Sequence, residues 1–150
     1  MLTDLLLAIA HHLLIFALLA LLVTEMMLVR PGMTAAIVRY VARLDIAYGF
    51  LAGLILIVGF SRVFFGLKGP EFYLGNWIFW AKIAAFLLVG LLSVPPTLRI
   101  IRWRGRASAD GAFTPPEDEV RFVRRLMHYE GMVFFTIPVF AALMARGYGT

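Results

Sequence analysis

The sequence predicts an all-α integral membrane protein, a four-helix bundle in a single domain spanning residues 1–150, and three observations carry that reading. Four long apolar segments recur, at about residues 5–29, 46–65, 77–94 and 126–145. The first of them, Leu5 to Val29, rises about 1.5 Å per residue and so crosses a bilayer core of roughly 30 Å. Hydrophobic residues make up 62% of the chain and charged residues only 15%, against roughly 25% charged in a soluble domain. With 150 residues there is room for one bundle and no sizeable soluble domain.

The first segment holds only three ionisable side chains, His11, His12 and Glu25. It is read as retained rather than cleaved, because Asp4 stands where a signal peptide would carry basic residues and the apolar run is too long. Arg30-Pro31-Gly32 ends it, since proline followed by glycine does not continue a helix. A short amphipathic piece, TAAIVRYVARLD, follows, with Arg39 and Arg43 on one face near lipid phosphates. The second helix carries Gly49, Gly53 and Gly59, which permit close helix contact, and Arg62 near its end. The connector GLKGPEFYLGN is glycine-rich and places Tyr73 at the interface.

In the third helix, Trp77 and Trp80 sit where an aromatic belt would lie, and Lys82 falls one to two turns inside. Pro95-Pro96 is expected to kink or end the membrane part, with LRIIRWRGR leading into the largest loop and residues 107–116 forming a flexible link. Pro116 and the acids Glu117, Asp118 and Glu119 read as a helix start, because acids favour the positive end of the helix dipole. The fourth helix then runs to about Arg146, its membrane part beginning near Leu126, and carries His128 and Glu130.

The net charge of +5 does not indicate nucleic acid, because the arginines flank apolar segments. Arg30, Arg39, Arg43, Arg99, Arg102, Arg104, Arg106, Arg121, Arg124 and Arg125 fall on one side, against Arg62, Lys68 and Arg146 on the other. Positive-inside counting therefore places both termini outside, on the periplasmic side of a bacterial inner membrane. Absence of cysteine excludes disulfides, iron–sulfur clusters and thiolate haem ligation. There is no Gly-rich phosphate loop, nucleophile elbow or H-E-x-x-H. Residues 38–44 and 120–126 match at five of seven positions, each preceding an even-numbered helix. Either the chain is two similar helical hairpins related by an axis along the membrane normal, or basic, apolar sequences simply match often.

Depth along the helices sorts the polar residues into two layers. His11, His12 and Lys82 lie roughly 9 to 12 Å below the outer ends, with Arg62 slightly above them. Glu25, Asp45, Tyr48, His128 and Glu130 fall towards the other ends. In the outer layer an imidazole could ligate a b-type haem, with Lys82 as a second ligand and Arg62 and Lys68 paired with propionates. The competing reading has Lys82 snorkelling and the histidines bonding across helices. His11 lies about 40° from Glu25 around the helix and His12 about 140°, which favours His11 as the inward residue. For the inner layer, pairing of Glu25, Asp45 and Glu130 with Arg30, Arg43 and Arg125 is expected ahead of a proton path or a cation site.

The pieces AHHLLIF, TEMMLVRPG, RLDIAYG, FWAK, GLLSVPPTLR and ALMARG, with the run from GFSRVFFG to KGPEFY, cover nearly the full length. They resemble an uncharacterised family of small four-helix bacterial membrane proteins. More remotely, the chain is similar to HemJ-type protoporphyrinogen oxidases, which bind haem b, and to copper-resistance D-like membrane proteins. In the HemJ type a histidine early in the first helix and a lysine following a tryptophan are essential; here His11 or His12 and the lysine of Trp80-Ala81-Lys82 match. The large basic loop and Pro95-Pro96 depart from that oxidase, so its substrate is not carried over. Two functions follow as expectations: a haem b protein with a redox or electron-transfer role, or a non-enzymatic accessory subunit joined to a membrane partner or a second copy through its glycine-bearing faces. A metal or proton transporter is disfavoured, because four helices leave little room for alternating access.

Overall fold

A computed structural model describes residues 2–66 and 69–149 of the chain. Its helices are α1 (Leu2–Leu28), α2 (Ala35–Phe65), α3 (Gly69–Leu74), α4 (Trp77–Ala109), α5 (Glu117–Phe134) and α6 (Thr136–Ala145). Four stretches are long and apolar enough to cross a membrane, the fourth being α5 and α6 taken together. Within hydrocarbon every backbone donor and acceptor must find a partner inside the protein, which leaves the helix as the natural solution for such segments. No strand occurs among the described residues.

α1 ends in a tight turn in which Met33 N donates to Arg30 O at 3.2 Å and Gly32 takes φ of +79°. That left-handed backbone is where glycine is favoured. Thr34 caps the next helix, its hydroxyl accepting from Ile37 N. The amphipathic piece after the turn is not a separate surface helix: it forms the first turns of α2. Its apolar face at Ala35, Val38, Val41 and Ala42 is buried and runs on in register through Asp45 and Tyr48, so nothing interrupts the helix. Arg39, expected at lipid phosphates, instead donates to Ala107 O at 2.8 Å.

The proline pair does not end the third span. α4 continues through Pro95 and Pro96 for 33 residues, about 50 Å at 1.5 Å per residue. Proline removes a backbone donor and crowds the preceding turn. Beyond the pair, however, Ile100, Trp103 and Ala107 are buried against α2 and α5, and the Trp103 indole donates to Glu119 at 2.6 Å. Burial of that stripe holds the helix on course, so LRIIRWRGR is helix and the loop shrinks to residues 110–116.

The fourth span, expected as one helix, breaks at Phe135. Pro138 explains the break, because it has no N–H for the carbonyl of Phe134 and its ring crowds that carbonyl. Proline is tolerated in the first turn of α6, where it sits. The connector before α4 holds the short α3, in which Tyr73 is buried against Phe79 rather than lying at an interface. Trp77 and Trp80 are exposed, as a belt requires.

α1 lies on α2, α2 on α4, and α4 on α5 and α6, while α1 reaches α5 to close the bundle. Three apolar clusters stack along its length. At the arginine-rich end, Val38 and Val41 meet Val120 and Val123, the equivalent valines of the two matching segments, around Ile100 and Trp103. Leu18, Leu22, Ile55, Val89 and Ile137 form the middle, and Val63, Tyr73, Ile78, Phe79 and Met144 the opposite end. Leu13, Phe16, Phe50, Ile57 and Leu91 face outward, where lipid would cover them. Trp103→Ala is expected to destabilise the bundle by about 3–5 kcal/mol, and Phe50→Ala by less than about 0.5 kcal/mol. Unfolding in mild detergent monitored by circular dichroism checks the contrast.

Candidate functional site

The outer polar residues converge on one cavity of about 520 Å³ between α1, α2, α4 and α6. His11 comes from α1, Gly59 and Arg62 from α2, and Lys82 from α4, with Phe79, Phe134 and Pro138 among the apolar walls. Gly59 matters for close approach: a Cβ there would lie 3.3 Å from His11 Cε1, so the glycine lets the imidazole settle against α2. His11 Nδ1 and Arg62 Nε are both buried without a hydrogen-bond partner. Lys82 Nζ lies 5.4 Å from the centre of the Phe79 ring.

Among the described residues no carboxylate pairs with Arg62 or Lys82. Among the described residues the ion pair Arg121–Glu117, at the far end of the molecule, is the only one. His12 touches the cavity edge but is exposed, with Nδ1 bonded to Ala8 O at 2.6 Å and its ring edge-on to that of His11. The structure thus places His11 inward and His12 outward, as the helical angle predicts. Lys68 lies outside the described residues.

The inner residues form a second constellation. Glu25 on α1 is 2% exposed, Asp45 on α2 8% and Glu130 on α5 2%. Tyr48 Oη donates to Glu130 Oε1 at 2.5 Å, and Thr97 Oγ1 donates to Asp45 Oδ1 at 2.8 Å. Glu25 lies within electrostatic reach of both Asp45 and Glu130, and its Oε1 is buried with no partner. The expected pairing with Arg30, Arg43 and Arg125 does not occur: Arg43 and Arg125 are exposed on other faces of their helices, and Arg30 is exposed in the turn beyond the end of α1. His128 also drops out of the layer: it is exposed, bonded through Nδ1 to Arg124 O at 2.6 Å, two residues and so about 200° away from Glu130.

Three participants were not foreseen as such. Thr97 follows the proline pair and supplies the hydroxyl to Asp45. Arg124 donates to Met26 O at 3.0 Å and Val29 O at 2.5 Å, satisfying open carbonyls at the end of α1. Gly59 was read only as a helix contact. Among the described residues no group of three or more His, Asp or Glu is arranged to hold a metal ion.

A family model described as "Predicted membrane protein (DUF2214)" matches residues 3–149. No curated protein and no solved structure matches the chain. The likeness to HemJ-type and copper-resistance D-like proteins has no counterpart among these comparisons.

Tyr48→Phe deprives buried Glu130 of its donor and is expected to cost about 1–3 kcal/mol of stability. His128→Ala, on the exposed face, should change stability by less than about 0.5 kcal/mol. Detergent unfolding midpoints of the two variants beside wild type check this.

Proposed function

The chain belongs to the DUF2214 family of predicted membrane proteins, and from the cavity geometry we propose that it is a haem b-binding redox protein of the bacterial inner membrane. The observation that carries the reading is the combination at one cavity of an imidazole whose buried Nδ1 has no partner with the basic side chains of Arg62 and Lys82, neither of which has a counter-anion among the described residues. A membrane protein that keeps Lys82 and Arg62 inside an apolar wall without a carboxylate is suited to an anionic ligand that brings its own charge. An aromatic cavity of about 520 Å³ falls in the range of roughly 300–1,000 Å³ typical of cofactor sites.

Haem b fits that chemistry better than a plain anion because it also uses an imidazole. His11 would ligate the iron, Lys82, having given up its proton to become a neutral amine, would stand as second ligand, and Arg62, with Lys68 from the sequence, would receive propionates and carry the compensating charge. Bound haem would supply one-electron chemistry, in electron transfer or in oxidation of a membrane-accessible substrate. The chain itself positions the imidazole through Gly59, walls the site with Phe79 and Phe134, and supplies the compensating charge. The resemblance of His11 and Trp80-Ala81-Lys82 to the HemJ-type positions supports the same pair of residues. The arginine excess at the opposite end supports a cytoplasmic placement there, with both termini and the cavity on the periplasmic side.

A second reading, an accessory subunit of a larger membrane complex, rests on Gly49 and Gly53. They lie four apart on an exposed face of α2 with open space above each, the spacing at which helices approach closely.

A reduced-minus-oxidised absorption spectrum of the purified protein, with a haem-to-protein ratio, separates the two. Wild type and His12→Ala should show Soret and α bands, and His11→Ala should lose them. Colourless protein from cells supplied with ample haem would overturn the haem reading and leave the accessory one. Lys82→Met is expected to change the haem spin state, and Arg62→Ala to lower haem retention while leaving ligation unaltered. An unchanged spectrum in the first, or full retention in the second, would remove that residue from the site.

A further inference from the structure

The carboxyl constellation takes no part in the proposed haem site, and its geometry sets a separate problem. Three acids from three helices converge in the half of the bundle nearer the arginine-rich end, and each is more than nine-tenths buried. We propose that Glu25, Asp45 and Glu130 form a proton-binding site, with the exchangeable proton held on Glu25 and loaded by way of Asp45.

The charges facing the site leave little alternative. α2 contributes Asp45 and Tyr48, α5 contributes Glu130, and α4 contributes the neutral hydroxyl of Thr97. Arg124 on α5 turns its guanidinium to the carbonyls of Met26 and Val29, and Arg125 is exposed. His128 is exposed on another face of the same helix, and no ion pair reaches any of the three acids among the described residues. Three ionised carboxylates in apolar surroundings with no counter-ion would cost more than a marginally stable fold can spare. The cluster therefore needs a cation, and a proton is the one that these oxygens are arranged to take, since the described residues offer no metal-holding group.

Hydrogen bonding assigns the proton. Tyr48 donates to Glu130 and Thr97 donates to Asp45, so both of those carboxyls already act as acceptors. Glu25 alone keeps a buried oxygen with no partner. As a carboxylic acid it becomes a donor itself and can direct its O–H to a neighbouring carboxylate.

A route in is also present. Asp45 and Tyr48 line a second cavity, of about 250 Å³, in the groove between α2 and α4, together with Ser93 and Thr97. That is several times the roughly 30 Å³ a water occupies in the liquid, and these side chains provide the polar partners water needs. A proton passes from water in this groove to an Asp45 oxygen and on to Glu25; no electron moves and no other bond changes.

Infrared difference spectroscopy of the full chain in lipid nanodiscs tests this, with wild type, Glu25→Gln, Glu130→Gln and Asp45→Asn each first shown to be folded by circular dichroism. At neutral pH wild type should show the C=O stretch of a protonated carboxyl, shifted to lower frequency in D₂O. Glu25→Gln should lose that band, Glu130→Gln should retain it at a shifted frequency, and Asp45→Asn should retain it but slow its exchange severalfold. Absence of the band in wild type overturns the proposal, as does its survival unaltered in Glu25→Gln. Exchange in Asp45→Asn as fast as in wild type overturns the loading route. Carboxylate bands that move on adding sodium or calcium would make the site a metal-ion site instead. None of these measurements depends on haem.

Discussion

A charge inside hydrocarbon must be paired, neutralised or led to water, and that constraint orders the polar half of this molecule. The simplest answer would be to pair the buried bases with the buried acids. The fold does the opposite. His11 and Glu25 share α1 but stand 14 residues apart, about 21 Å along the axis, with the cluster around Leu18, Leu22 and Val89 between their layers. Lys82 and Arg62 stay with His11, while Asp45 and Glu130 stay with Glu25. Ion pairing that would have stabilised the bundle at no functional benefit is absent among the described residues save at Arg121–Glu117, on the surface. Segregation of this kind leaves each group of side chains needing something from outside the chain.

The helices themselves are written in the apolar runs, because a segment surrounded by lipid has few alternatives to helix. Their ends are not. Pro95-Pro96 looked like a terminus since local propensity disfavours proline in a helix, yet Trp103 and Ile100 are buried beyond it and their packing prevails. Pro138, set in an apolar run, divides the fourth span, because the register puts its missing donor opposite the carbonyl of Phe134. A proline's effect thus depended on what lay on its far side, which is long-range information. The same holds for the segment after Gly32, whose amphipathic pattern fits a surface helix and a buried helix start equally well until α4 and α5 are placed against it.

Legibility of the site follows a similar division. Helical angle alone separates His11 from His12, and depth alone gathers Glu25, Asp45, Tyr48 and Glu130, because both quantities are properties of a single helix. Partners across helices were not readable in this way. Arg43 is two residues from Asp45 and Arg30 five from Glu25, so sequence proximity suggests ion pairs, yet helix geometry turns Arg43 to the surface and Arg30 lies exposed beyond the end of α1. Thr97 and Arg124 entered only through contacts 52 and 95 to 98 residues distant in the chain. Gly59 gains its meaning from an imidazole on another helix.

Both proposed sites hang on the same helices, which raises the question whether one serves merely to offset charge at the other. Magnitude decides against it. Two unit charges about 21 Å apart interact by roughly 0.8 kcal/mol at an effective dielectric near 20. That is less than a tenfold change in any equilibrium, too little for an electron arriving beside His11 to load or empty Glu25 by field alone. Stronger coupling would need a moving part between the layers, and the middle cluster of Leu18, Ile55 and Val89 is buried and closely enclosed. The short Tyr48–Glu130 bond spans α2 and α5 just beneath that cluster, while Phe134 of α5 reaches the cavity wall one turn above Glu130. Phe134 thus packs in the middle cluster and walls the cavity at once, one turn from the hydrogen-bonded Glu130, yet the enclosed packing around it leaves the two sites energetically separate.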